Sequence, residues 1–251
     1  MAAYSIRQTA SAQYLPVITH QGASGICAFA SVIQFLKFRV CRQFGLTPVE
    51  AALDEWWTPE QLMFTMLALE GNPYGLVYNP HTGDCPTTPL TVLRYIRNVG
   101  IPIPVPQGIL RITGINTYRT LQNLNGIDGG DPGDRETEEI GSPNEMWEYI
   151  TNIISDGEPV LGELTAVETQ FLNHISQGVY VPSRRRGSRR MGDTIGHASM
   201  VTGHNYGVGG KRYLEIHNTF GPGWGGWNGY GRVSLGCFFR VTLVPDPIII
   251  E

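Results

Sequence analysis

Cysteine, charge and long apolar runs are all scarce in this sequence. Only four of its 251 residues are cysteine, at positions 27, 41, 85 and 237, and no two form a CxxC pair. That excludes a zinc ribbon, a dithiol redox motif and a dense disulfide framework. Charged residues make up 16%, with 18 Lys+Arg against 22 Asp+Glu for a net charge of -4. The positive excess that phosphate-backbone binding demands is missing, so general nucleic-acid binding is not expected. No window approaches the roughly 18 to 20 apolar residues of a membrane span, and the longest apolar tail is Ile248-Ile249-Ile250. Residues 1–8 carry no apolar block after their first charge and do not read as a signal peptide. The expected location is the cytoplasm, with the nucleus as a variant of it.

What the chain has is apolar material and turn formers: 41% hydrophobic residues, 31 Gly and 17 Pro. This is the composition of a loop-rich, core-forming protein of one large domain or two that share a core. Helix signals crowd its first two thirds. Thr58-Pro59-Glu60-Gln61 is a capping-box pattern opening a segment to about Glu70-Gly71. Thr88-Pro89 opens another, with Leu90, Leu93, Ile96 and Val99 at helical spacing until Gly100. Ser142-Pro143-Asn144-Glu145 opens a third, ending near Asp156-Gly157. The longest helix is predicted to start at 24–27, bury Ile33, Leu36, Val40 and Phe44, and stop at Gly45.

After Pro159 the pattern changes to short β-type runs at 160–164, 178–181, 199–206, 212–217, 231–234 and 238–244. Gly207-Val208-Gly209-Gly210 reads as a hairpin turn between two of them, since no helix follows to make it a phosphate loop. Helices first and strands second imply an α+β protein in two halves. The expected organisation is a single unit over 1–251: a mainly helical half at about 13–125, a mainly β half at 142–244, and surface insertions at 126–141 and 183–190. The first insertion is acidic and turn-rich. The second holds five arginines and reads as a solvated loop. Its sharper reading is a patch for an anionic partner or for nuclear import, at Arg184–Arg190.

Chemistry concentrates in two places. Gln21-Gly22-Ala23-Ser24-Gly25-Ile26-Cys27 is a Gly-rich turn that delivers a cysteine to the start of an apolar helix. A helix N-terminus carries partial positive charge and free N–H groups, which favour a thiolate and can bind an oxyanion. Far along the chain come Gly196-His197-Ala198, then His217-Asn218-Thr219-Phe220-Gly221-Pro222-Gly223-Trp224-Gly225, then Asn228-Gly229-Tyr230. A thiol nucleophile needs a base, and the base needs an orienting group. Cys27, then His197, then Asn218 supply those residue types in order. His20, His81, His174, His204 and His217 show no metal-ligand spacing, so neither a metal nor a cofactor is called for. Cys41 and Cys237 read as small buried thiols, and His204 and His217 as structural groups on strands.

These blocks resemble, in order and spacing, those of the papain-like cysteine peptidases, the family of papain and the cathepsins. The match extends to Trp57–Leu67, Tyr95–Ile101 and the stretch from Gly157-Glu158-Pro159-Val160 through Phe171 to Gly178-Val179-Tyr180, and covers about 13–244. The resemblance implies a helical left domain and a β-barrel-like right domain with a cleft between them for a peptide or small acyl substrate. It makes Cys27 the nucleophile, paired as a thiolate with a protonated His197 that serves as base and acid. Asn218 orients the imidazole, and Gln21 completes the oxyanion hole with the Cys27 N–H. Trp224 stands at the family tryptophan of the glycine-rich turn, a wall that shields and packs the site.

The departures are as informative. Ala28 follows Cys27 where the family has an aromatic residue. The family's Gly-Cys-x-Gly-Gly, which pairs with an extended peptide, is here Asp84-Cys85-Pro86-Thr87-Thr88, so Thr87 and Thr88 replace both glycines. The family's disulfide partner for Cys85 falls at Ser24, and that bridge cannot form. The match starts close to Met1, which leaves no room for an inhibitory propeptide in this sequence. Glu163 falls on a wall of the family's S2 pocket, beside Ile195 and Gly196. A carboxylate there favours a basic substrate group, unless Glu163 turns to solvent. The expected activity is therefore that of a papain-type cysteine peptidase or related thiol hydrolase working through a thioester. The alternatives are a non-catalytic binding module and an acyl-transfer or ligase enzyme acting on a non-protein substrate.

Overall fold

The computed structural model describes residues 3–22, 24–51, 57–105, 108–114, 119–123, 137–140, 143–174, 178–182, 194–244 and 248–250. Helix α1 spans Cys27–Phe44 and ends where Gly45 turns left-handed (φ 67°) and bonds back to the Arg42 and Cys41 carbonyls. Every residue from Ala28 to Leu36 is buried, and a helix that is apolar on all sides belongs inside a core. Phe44, expected on the buried side, is 45% exposed, because the chain leaves the core at the Gly45 cap.

Helix α2, Pro59–Leu67, forms both halves of its capping box, with Gln61 N–H donating to Thr58 Oγ1 and Thr58 N–H donating to Gln61 Oε1. It stops short of the expected Glu70-Gly71. Helix α3, Pro89–Val99, is capped by Thr88 and buries Leu90, Leu93 and Ile96. Helix α4 is Pro143–Ser155 and α5 is Glu168–Leu172; Ser142, the expected cap of α4, lies outside the described residues.

The strands are β1 Tyr4–Ser5, β2 Ile101–Val105, β3 Gly108–Gly114, β4 Arg119–Asn123, β5 Thr137–Ile140, β6 Val160–Val167, β7 Val179–Tyr180, β8 Thr194–Tyr206, β9 Arg212–His217, β10 Tyr230–Ser234, β11 Phe238–Leu243 and β12 Ile249–Ile250. Nine of them form one sheet in the order β5-β4-β11-β6-β8-β9-β10-β7, with β1 also pairing to β8. β12, β3 and β2 make a second, three-stranded sheet. The protein is thus α+β, with a helical part and a sheet part. The span 13–125, expected to be mainly helical, also carries β2, β3 and β4, and β4 pairs with β11 in the large sheet. β5 falls within the segment expected to be a surface insertion at 126–141 and pairs in parallel with β4. The arginine run at 183–190 lies outside the described residues.

Two joints hold α1 and the N-terminal segment against the large sheet. Arg39, buried on α1, donates from Nη1 to Glu158 Oε2 at 3.1 Å and to the Val244 carbonyl at 2.7 Å. One turn on, Arg42 Nη1 donates to the Gly157 carbonyl and pairs with Glu158 Oε1 at 2.8 Å. At the other end, buried Glu215 of β9 accepts from Ser5 Oγ at 2.6 Å and from Arg7 Nη2 at 2.7 Å. β1 lies so close over β8 that a Cβ at Gly203 would sit 2.8 Å from the Tyr4 carbonyl oxygen.

Removing a buried partner costs far more than trimming a surface cap. Arg39→Ala is expected to lower the unfolding free energy by about 3 kcal/mol, against about 1 kcal/mol for Thr58→Ala. Equal losses for the two in urea unfolding would show that the Arg39 joint does not hold the helix to the sheet.

Candidate active site

Cys27 is the first residue of α1, and no side chain caps the helix there. The turn before it is tied from several sides. Gln21 N–H donates to the Thr219 carbonyl at 2.8 Å, and Ser24 Oγ donates to the Gln21 carbonyl at 2.7 Å. Gly22 sits at φ 71°, a left-handed conformation that glycine adopts without strain. Gly25 N–H donates to Asp84 Oδ1 at 2.5 Å, and Thr82 Oγ1 donates to Asp84 Oδ2 at 2.6 Å. This carboxylate therefore pins the turn to the 82–85 loop.

His197 on β8 is 4% exposed, and its Nε2 lies 2.6 Å from Asn218 Oδ1. An amide oxygen only accepts, so Nε2 carries the proton, and in the neutral ring Nδ1 is the bare nitrogen. Phe220 stacks on the imidazole with centroids 4.7 Å apart, and Phe171 packs at 5.2 Å. Asn218 follows the end of β9, and its N–H donates to the Gly229 carbonyl at 3.1 Å. Its neighbour Thr219 donates through Oγ1 to Gln21 Oε1. Gln21 Nε2 in turn donates to the Ser24 carbonyl at 2.7 Å; an amide nitrogen has two N–H groups, so one remains for a substrate oxygen.

Burial is the first influence on the charge of both groups. Burial pushes the Cys27 thiol up and the nearby Glu163 charge adds to this, while backbone hydrogen bonds from Ala198 and Ala28 pull it down. Burial drives His197 down to about 4 against the raising effect of the Asn218 bond. Burial thus favours the neutral form of each group taken singly.

The expected substrate contacts divide. Gly196 is exposed, and a Cβ there would meet nothing within 4 Å; Ile195 beside it is half-buried. Glu163 is neither turned to solvent nor free to select a basic group. It is 6% exposed, and its Oε1 accepts from Arg240 Nη1 at 3.4 Å, so its charge is met within the chain. Burial raises its carboxyl and Arg240 opposes that rise. Thr88 Oγ1 accepts from Thr91 N–H as the α3 cap, whereas Thr87 stays half-buried beside it. Trp224, read as a wall that shields and packs the site, is 2% exposed, its indole N–H donates to the Phe171 carbonyl at 2.7 Å, and a Cβ at Gly231 would strike its ring at 2.4 Å.

Sequence reading passed over Phe171, Thr219 and Asp84 as site residues. The aromatic position in the Asn-x-(aromatic) block did mark Phe220, whereas the others act through contacts across the fold that leave no local signal. Among the described residues no cluster of His, Cys, Asp and Glu could hold a metal ion, and no helix there is long and apolar enough to cross a membrane.

No protein-family model matches the chain, and no curated protein matches it either. Solved structures do. Digestive procathepsin L 3 of the Tenebrio molitor larval midgut aligns with a TM-score of 0.59 at 17% identity, over 96% of this chain and 69% of that one. Procathepsin B S9 from Trypanosoma congolense gives 0.59 at 15%, over 97% and 77%. A structure bearing on antibody cross-reactivity between the mite allergens Blo t 1 and Der p 1 gives 0.59 at 16%, over 96% and 70%. The fold is papain-like. Within this papain-like fold, all four cysteines are free, and Asp84 on Gly25 fastens the turn where the resemblance places a disulfide between positions 24 and 85.

Two neutral buried histidines make the fold acid-sensitive. His197 and His217 have folded pKa values of about 4 and about 3, below the ordinary 6.5. The unfolded chain therefore binds protons first as pH falls, so stability is full above pH ~6.5 and drops toward pH ~4 by a few kcal/mol. Thermal midpoints that stay level from pH ~7 to ~4 would contradict this.

Proposed function

We propose that this chain is a papain-type thiol hydrolase, a cysteine peptidase or a related acyl-transfer enzyme, with Cys27 as nucleophile. The observation that carries the reading is the His197–Asn218 bond, which fixes the imidazole tautomer on β8, the strand that packs against α1 and its Cys27. A Cys-His-Asn set with that tautomer has the parts a thiol acyl transfer needs.

In this reading Cys27 Sγ attacks the substrate carbonyl as its proton passes to His197 Nδ1. The carbonyl oxygen gains the negative charge and is met by the Cys27 N–H and the Gln21 amide. Collapse of the tetrahedral species expels the leaving group, which takes the proton from His197, and a thioester remains on Cys27. Water activated by His197 then releases the acid. Phe220 and Phe171 keep solvent off the His197–Asn218 bond. Ile195, Gly196 and Thr87 would line the substrate's path, with the buried Glu163–Arg240 pair behind them.

One feature favours a substrate other than an extended peptide. Pro86 has no N–H, and the Thr88 carbonyl already accepts from the Val92 N–H in the first turn of α3. The segment that replaces the family's two glycines is thus poorly equipped to pair with a peptide backbone. A small ester, amide or conjugated acyl group fits this reading better.

Mixing the protein with a p-nitrophenyl acyl ester is expected to release a burst of about one equivalent of p-nitrophenol as the acyl group appears on Cys27 by intact mass. Cys27→Ala abolishes the burst and His197→Ala slows it roughly 10²- to 10⁴-fold. A wild-type chain that takes no acyl group on Cys27 would instead be a binding module.

A further inference from the structure

A buried polar hub lies behind the site. His217 is wholly buried at the end of β9, next to Asn218. Its Nδ1 lies 2.9 Å from the Gln34 amide, and its Nε2 lies 3.1 Å from the Pro16 carbonyl. Gln34 is also wholly buried, and it sits on α1 two helical turns from Cys27. The other end of its amide lies 2.8 Å from Thr19 Oγ1, two residues before Gln21. Tyr230 closes the hub, its ring edge-on to the imidazole at 4.8 Å. Three segments that carry the proposed oxyanion group, nucleophile and orienting group therefore meet at one imidazole and one amide.

The chemistry of the hub is consistent with a fixed joint. Burial takes His217 down to about 3, so the ring is neutral and has a single N–H. As placed, Gln34 turns Oε1 to Nδ1 and donates from Nε2 to Thr19 Oγ1. A neutral ring that gives its one proton to the Pro16 carbonyl needs a donor at Nδ1, so the amide is assigned the reverse orientation, NH2 to Nδ1 and oxygen to the Thr19 hydroxyl. In that orientation both ring nitrogens and the amide oxygen are paired, which makes the arrangement costly to leave.

The geometry points to His217 and Gln34 as positioning residues. Their contact locks β9, and so Asn218 and the His197 ring it orients, to the helix that presents Cys27. The inference rests on the proposed function for its catalytic meaning, but its structural content is independent of it. A small displacement of a positioned group costs large factors in rate, and this contact is the polar tie between β9 and the first half of α1.

The test uses the full chain with 15N-labelled histidine rings. It reads the His197 Nε2–H signal, assigned by its loss in His197→Ala, and the rate of Cys27 acylation by the p-nitrophenyl ester. Gln34→Ala and His217→Gln each remove the contact and are expected to shift the His197 signal and slow acylation roughly ten- to hundredfold. Combining them adds no further loss, because both remove the same interaction. His217→Asn reaches the place of Nδ1, keeps the Gln34 contact, and restores most of both readouts. Gln34→Ala leaves the imidazole and its Pro16 bond in place and decides the matter if His217→Gln does not fold. A His197 signal and acylation rate unchanged in folded Gln34→Ala, with only the melting temperature lowered, would overturn the inference. So would a His217→Asn variant as defective as His217→Gln. If the wild type is not acylated at all, the hydrolase reading fails, and the His197 signal in Gln34→Ala still decides the positioning role.

Discussion

The arrangement of this protein depends on holding one buried helix in register with the middle strands of a sheet. Helix α1 brings Cys27 to its first turn, and β8 and β9 bring His197 and the Asn218 loop. Nothing covalent links these elements, since the four cysteines are free. The register comes from polar contacts along the helix: Asp84 at the entry turn, Gln34 to His217 in the middle, and Arg39 and Arg42 to Glu158 near its end. Apolar packing alone tolerates sliding, whereas hydrogen bonds between buried groups fix one alignment.

The same burial that fixes the groups also sets their charge. Taken out of water, both Cys27 and His197 move toward their neutral forms. Glu163, whose charge also raises the thiol, is answered within the chain by Arg240. In the proposed reaction the developing charge would be met by the Cys27 N–H and the Gln21 amide as it forms.

Much of the fold was legible in the sequence because the signals were local. The Thr58–Gln61 capping box, the Pro89 helix start, the Gly45 stop and the alternating runs of β8 and β9 depend on neighbours a few residues away. Cys27, His197 and Asn218 were legible through their order and glycine-rich surroundings. Strand β2 was not, because Pro102 and Pro104 argue against a strand, yet β2 is an edge strand, where prolines are tolerated. Strands β4 and β5 were hidden beside acidic, turn-rich sequence and are specified by pairing with β11 and with each other. The Glu163–Arg240 pair spans 77 residues and comes from cross-strand register, which no local pattern announces. Trp224 was recognisable by position, but its burial against Phe171 follows from tertiary packing.

The most direct test of the central claim, that His197 held by Asn218 acts on Cys27, is the rate at which iodoacetamide modifies Cys27 near neutral pH. Wild type would be compared with His197→Ala and Asn218→Ala, with the site of modification read by intact and peptide mass. The account predicts that wild type reacts fastest, that His197→Ala loses the enhancement, and that Asn218→Ala falls between them as the ring loses its fixed tautomer. Three proteins that react alike, at the rate of an ordinary thiol, would contradict it.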